Sequence, residues 1–380
     1  MPKGHEIMNI QLLLLIGVLL IAILYPFKPT LKRKKTIVQT ITVVLSLFSG
    51  LRSWWMGDLI KYYTLFRRCN GADWRAALTE NWSNMGIRVF FRIAGAVGIS
   101  YDVCIFIFAA FAAISLGFVI YRYSASPFIS YLMYIGMGFL IFTYSGLKQT
   151  IAMGFLCFAM NCLLEGHWKG FVLWTLIGGF FHAPALVFLL AYPFAYKKID
   201  EWYLIFLASG FILVLVLRDR IVALLSKLYF DDVDAFDISS RFVGGRFLMM
   251  LLILAVCYYL RPVRRNDATY AKVFNVMVLS ALLQTFSVYN NVFTRLTDYV
   301  FQFIVIFLPM ALFPPGGLAA EKAELESPGY YRYKEIYTAA TVAITAYAVY
   351  YYIGLIDSSY MLLKDFRFFW QINPYGLYGV

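Results

Sequence analysis

Apolar residues in this chain come in long runs separated by short polar connectors. Runs of roughly 15–20 such residues recur along the whole length, each long enough to cross a hydrocarbon core of about 30 Å as a helix. The pattern predicts spans at 8–26, 36–51, 102–122, 127–144, 149–165, 170–181, 183–197, 202–217, 246–261, 269–288, 295–313 and 334–354. Residues 170 to 197 stay ambiguous. Gly178, Gly179 and Pro184 could divide them into two short helices or leave one long kinked span. The expected fold class is all-α: a polytopic integral membrane protein with about 10–12 transmembrane helices. It is expected to form a single membrane domain over residues 1–380, with two longer extracytoplasmic segments, 52–101 and 218–245, that carry interfacial helices. No repeat period and no low-complexity linker divides the chain.

The first run follows Lys3 as a signal peptide would, but no small-residue cleavage site comes after it. A basic segment does, with Lys28, Lys32, Arg33, Lys34 and Lys35. It reads as a retained span whose basic end lies in the cytoplasm. With the N-terminus outside, the cytoplasm also receives Arg122, Lys169, Lys197, Lys198, Arg261, Arg264, Arg265, Lys272 and Lys322 to Lys334. The two longer segments fall on the opposite side. Arginine predominates among the cations expected there and lysine among those expected inside. Arginine's planar fork suits bidentate contact with phosphate or carboxylate, so the bias suggests anion recognition on the outer face.

Composition agrees with the pattern. Of 380 residues 62% are hydrophobic and 14% charged, which excludes both a water-soluble domain and a disordered chain. The formal charge of +12 is spread over many short loops, so lipid head groups or an anionic substrate are expected partners rather than nucleic acid. The five cysteines form no C-x-x-C pair, and His5, His167 and His182 are scattered, so no metal or cofactor is expected. The acidic cluster Asp231, Asp232, Asp234 and Asp237 lacks the glycine and distal glutamate of a calcium loop and reads as a solvated loop.

Four places put polar groups where a plain bundle needs none. LRSWWMGDLIKYY carries Arg52, Asp58 and Lys61 at a span end. In a helix, Asp58 and Tyr62 would share a face. The bland alternative is interfacial anchoring by Trp54 and Trp55. SGLKQTIAMGF sets Lys148 and Gln149 in a connector of a few residues. A lysine left at the bilayer centre would cost roughly 2.5–3.5 kcal/mol, so Lys148 must reach water, a phosphate or a carboxylate, or simply snorkel. GGFFHAPALVFLL sets His182 beside glycines and Pro184, as a cavity-lining residue or a hydrogen-bonded structural one. Arg241 and Arg246 bracket RFVGGR, and Arg295 lies in FTRLTDY; together they could clamp a phosphate, or each could snorkel.

The order and spacing of LR-x4-GD-x3-YY, SGLKQTIAMGF, GFFHAPALVFLLAYPF and NVFTRLTDY resemble the EpsG-like, Wzy-type polysaccharide polymerases of the bacterial envelope, over about residues 8 to 313. The family pattern usually has arginine where Lys148 stands, and a glutamate often found near Asn84 to Gly86 is absent. The resemblance implies a GT-C-like helical bundle in the cytoplasmic membrane. It would transfer a growing glycan from polyprenyl diphosphate to a sugar hydroxyl of a lipid-linked repeat unit on the outer face. Membrane lipids and a chain-length regulator would be further partners. Arg52, Lys148, Gln149, Arg241, Arg246, Arg295 and Tyr62 would hold the diphosphate and glycan, and His182 or Asp58 would be the general base. Another lipid-diphosphate glycosyltransferase or glycan ligase, or a flippase for lipid-linked oligosaccharide, are the rival readings.

Overall fold

The structure is a computed structural model that describes residues 14–17, 31–54, 58–71, 74, 85–200, 202–229, 245–259, 267–288, 291–312, 330–357 and 366–371. Most of the first expected span, Arg241 and the acidic cluster at 231–237 lie outside the described residues. Those described are almost wholly helical and include no strand, as expected of an all-α polytopic membrane protein. In an apolar environment a helix satisfies its backbone N–H and C=O groups internally, which is why apolar runs of this length fold this way.

The chain opens with α1 (Leu31–Gly50), α2 (Leu59–Asn70), α3 (Met85–Ala96) and α4 (Tyr101–Tyr123). α1 begins five residues before the expected 36. Its basic turn is helical, with the Lys34 ammonium 5.7 Å from the centre of the Tyr121 ring. Next come α5 (Pro127–Gly136), α6 (Phe139–Ser145), α7 (Leu147–Glu165) and α8 (Trp168–Phe181). The expected span 127–144 is therefore a bent pair, turning 54° at Gly138, whose φ of +81° only glycine adopts without strain.

The ambiguity at 170–197 resolves as a break. α8 stops at Phe181, His182 is extended, a 3-10 segment runs Ala183–Leu190, and α9 (Ala191–Ala195) follows. Pro184 cannot donate a backbone hydrogen bond and disfavours helical geometry just before it. α10 (Tyr203–Tyr229) runs well past the expected end at 217. The remainder is α11 (Gly245–Tyr259), α12 (Ala268–Gln284), α13 (Asn291–Phe301), α14 (Ile304–Leu312) and α15 (Tyr330–Asp357). The expected span 295–313 is a second bent pair, turning 47° between α13 and α14.

α4 packs on α1 to one side and on α7 to the other, and α7 also packs on α8. α5, α14 and α12 close the centre, where Tyr131, Tyr144, Tyr270 and Tyr299 are fully buried. Lipid-facing surfaces are legible as exposed apolar residues such as Val43, Ile114, Leu176, Leu213, Leu252 and Val342. A smaller cluster of Leu59, Phe66, Ile87, Phe91, Tyr101, Leu147 and Ile151 docks α2 and α3 against one end of α4 and α7. The Tyr101 hydroxyl donates to the Leu59 carbonyl at 2.7 Å and fixes the start of α2.

Polar clips tie the opposite end of α7. Arg122 pairs with Glu165, and the Lys272 ammonium donates to the Leu164 carbonyl at 2.8 Å. A cation at a helix C-terminus is favoured by the helix dipole. α5 and α15 cross closely. A methyl group built on Gly136 would lie 2.5 Å from the Ala348 Cβ and 3.0 Å from its carbonyl oxygen. Gly136→Ala is expected to cost about 1–3 kcal/mol in thermal unfolding of the purified protein. Gly210→Ala, with nothing within 4 Å of the added atom, should stay within about 0.5 kcal/mol. Equal stability of the two variants would contradict this crossing.

Candidate functional site

Helix ends, not helix middles, build the polar site. α7 starts at Leu147 after Gly146, which offers no side chain to cap it, so its first N–H groups look for partners elsewhere. One is found on α2: the Lys148 N–H bonds to the Tyr62 hydroxyl. Burial, more than any charge, pushes that hydroxyl up to about 12, so it stays protonated at neutral pH and keeps its own proton to donate. One residue on, the Gln149 side-chain amide donates to the Arg295 carbonyl at 3.3 Å and ties α7 to α13.

α13 contributes a whole face. Arg295, Asp298 and Tyr299 are three and four residues apart and so point the same way. Tyr299 is fully buried and its hydroxyl bonds to Nδ1 of His182 at the break after α8. Asp298 is 2% exposed and pairs with Arg246, whose guanidinium sits 4.4 Å from the centre of the Phe301 ring. Arg295 itself is exposed. Its charge acts on Tyr62, His182, Asp298 and Tyr299, which makes it the hub of the group. Lys148, half-buried, acts on His182 from the other side, and Asp58 acts on both Lys148 and Tyr62.

The structure thus brings together Asp58, Tyr62, Lys148, Gln149, His182, Arg246 and Arg295 from sequence positions far apart. Arg52 stands outside this group. It is 1% exposed and its charge acts on Tyr101 and Tyr144, and Tyr101 in turn acts on Tyr62. Asp298 and Tyr299 were not among the expected site residues. The signal for them was present in FTRLTDY, where helical periodicity puts both on the face of Arg295.

Electrostatically the group is unbalanced. Lys61, Lys148, Arg246 and Arg295 stand against Asp58 and Asp298, and both carboxylates are already engaged: Asp58 by Lys61 at 2.8 Å and Asp298 by Arg246. The Asp58–Lys61 pair is solvent-exposed and contributes little to stability. Lys148 occupies the first turn of α7, where the dipole disfavours a cation, and no acidic residue shares that turn. At the far end of α7, Lys272 sits where a helix favours one. A positive helix end, an ammonium and an exposed guanidinium around one half-buried imidazole suit an anionic ligand that carries a group able to lose a proton.

The EpsG family model matches residues 35–314, which includes each residue of this group. No curated protein and no solved structure matches the chain.

Removing one partner of the Arg246–Asp298 pair leaves the other in a poorly solvated place. Arg246→Met should destabilise the protein by about 3 kcal/mol. The double variant Arg246→Met/Asp298→Asn should recover at least half of that loss in the same thermal unfolding measurement. Additive losses would mean that the two side chains do not pair.

Proposed function

Because the chain belongs to the EpsG family, and so is a multi-pass membrane protein of the polysaccharide-polymerase type, we propose that it polymerises a glycan on a polyprenyl diphosphate carrier. The growing chain would pass from its lipid diphosphate to a sugar hydroxyl of a second lipid-linked repeat unit. We place this at the outer face of the bacterial cytoplasmic membrane, with residues 52–101 and 218–245 on that side. The single observation that carries the reading is that the charges of Lys148, in the first turn of α7, and of Arg295 both act on His182.

The chemistry follows from that arrangement. An acceptor oxygen forms a bond to the anomeric carbon while the bond to the diphosphate oxygen breaks. Negative charge then grows on the departing diphosphate, and preorganised cations lower the barrier most when they already point at that position. Arg295 offers a fork for two phosphate oxygens and Lys148 a point charge beside the α7 N–H groups. The acceptor hydroxyl must lose its proton. With Nδ1 of His182 donating to Tyr299, Nε2 carries the lone pair and can take it. Asp58, occupied by Lys61, is the less suited base. Tyr299 positions the imidazole rather than touching substrate. Gln149 and Asp298 hold α13 and Arg246 in place.

Purified protein incubated with a lipid-diphosphate-linked repeat unit should yield a ladder of products resolved by size. Lys148→Ala or Arg295→Ala should slow the ladder by about 100-fold or more, while single repeat units still reach the outer face in cells. Loss of translocation itself in those variants would identify a transporter instead. His182→Ala with an undiminished ladder would remove histidine as the base. Tyr299→Phe should lower kcat by roughly tenfold with little change in KM, since it disturbs proton transfer and not binding.

A further inference from the structure

Arg52 is the largest anomaly in the molecule. Its side chain is among the largest that are fully buried, at 1% exposure. Guanidinium carries five N–H donors. Here Nη1 donates to the Ser49 carbonyl, while Nε and Nη2 are buried without a hydrogen-bond partner. The described residues give it no carboxylate. A buried charge is normally paired and hydrogen-bonded, because removing it from water is otherwise too expensive. A guanidinium kept for structure alone would use more of its donors.

A short piece of chain from the other end of the sequence pairs with the backbone at Arg52. Residues 366–371 cross antiparallel over residues 51–53, with Arg52 opposite Phe368. Two backbone bonds hold them: the Ser53 N–H donates to the Arg367 carbonyl at 2.7 Å, and the Phe369 N–H to the Leu51 carbonyl at 3.0 Å. Phe366 anchors the crossing by stacking on Phe48 at 4.9 Å and meeting Tyr144 edge-on at 5.2 Å. Phe368 follows with its edge on Phe48 and Trp370 stacked behind it at 4.6 Å. Phe369 and Trp370 are 49% and 58% exposed, so the piece lies on the surface. It also lies beyond residues 35–314, the part matched by the family.

We propose that residues 366–371 form a strap closing an anion subsite built on Arg52, and that a phosphate-bearing ligand opens it. Two backbone bonds and a few ring contacts are a weak closure, and beneath them waits a cation whose open N–H groups can be satisfied only once the strap lifts. Tyr101, beside Arg52, also neighbours Tyr62 of the site described above, so the subsite adjoins that site. The ligand would be a phosphate or diphosphate group, from a lipid-linked substrate or from an anionic lipid head group. This rests on the reading that the protein handles lipid diphosphates.

The test is hydrogen–deuterium exchange at the Ser53 and Phe369 amides of the full chain in phosphatidylcholine nanodiscs. Inorganic pyrophosphate is added in one arm and phosphatidylglycerol replaces part of the lipid in the other. A rise of roughly threefold or more in exchange with pyrophosphate supports the strap with a substrate-type diphosphate, and a rise with phosphatidylglycerol alone supports it with a head group. No rise in either arm overturns it, as does a rise that persists in Arg52→Met. Arg52→Met should fold at least as stably as the parent, because it removes a buried charge that lacks a partner. A marked fall in its Tm would make Arg52 structural and also overturn the proposal. Phe366→Ser, which removes the anchor, should raise exchange without any ligand. The product ladder of the unaltered protein separates this inference from the polymerase reading: a ladder without ligand-driven release sinks the strap alone, and release without a ladder sinks polymerisation alone.

Discussion

A helix that stops inside an apolar bundle leaves N–H or C=O groups that its surroundings cannot satisfy. The site depends on that constraint. α7 begins without a side-chain cap, and α8 breaks at His182 before Pro184. The first leaves backbone N–H groups to be met from another helix; at the second the His182 backbone is satisfied locally and its imidazole is what meets another helix. Tyr62 answers for the start of α7, and Gln149 and Tyr299 bridge from α7 and His182 to α13. Because the interruptions answer one another, polar groups accumulate in one place and the remaining helical surface can stay apolar.

Charge placement follows from the same geometry. Lysines at the two ends of α7 have opposite relations to its dipole. Lys272 completes the C-terminal end by bonding to Leu164, whereas Lys148 adds positive charge to an end already positive. The second arrangement is electrostatically unfavourable by itself. Asp298 has the reverse role: it balances Arg246 and lets a guanidinium sit against the Phe301 ring. Arg246 and Lys272 are thus held by a carboxylate and by a helix C-terminus respectively.

Glycine and proline mark the places where the bundle departs from straight spans. Gly138 permits the 54° turn between α5 and α6, which brings Ser145 and Gly146 to the start of α7. Gly136 lets α15 approach α5 closely.

The all-helical membrane class was determined by the sequence alone, because the need to satisfy backbone groups in lipid leaves few alternatives for apolar runs of this length. Lys148 and His182 were legible as polar residues in apolar surroundings, Arg295 as a cation at a span end, and the break at 182 as a choice between two outcomes. The bends within 127–144 and 295–313, the helical basic turn at Lys32–Lys35 and the length of α10 were not, since hydropathy averages over direction and does not register where a run turns. Only the tertiary structure decided which polar residues meet. Arg246 faces Asp298 and Arg52 pairs with Phe368 because segments far apart in sequence lie side by side, and contacts between distant segments leave no periodic trace in one chain.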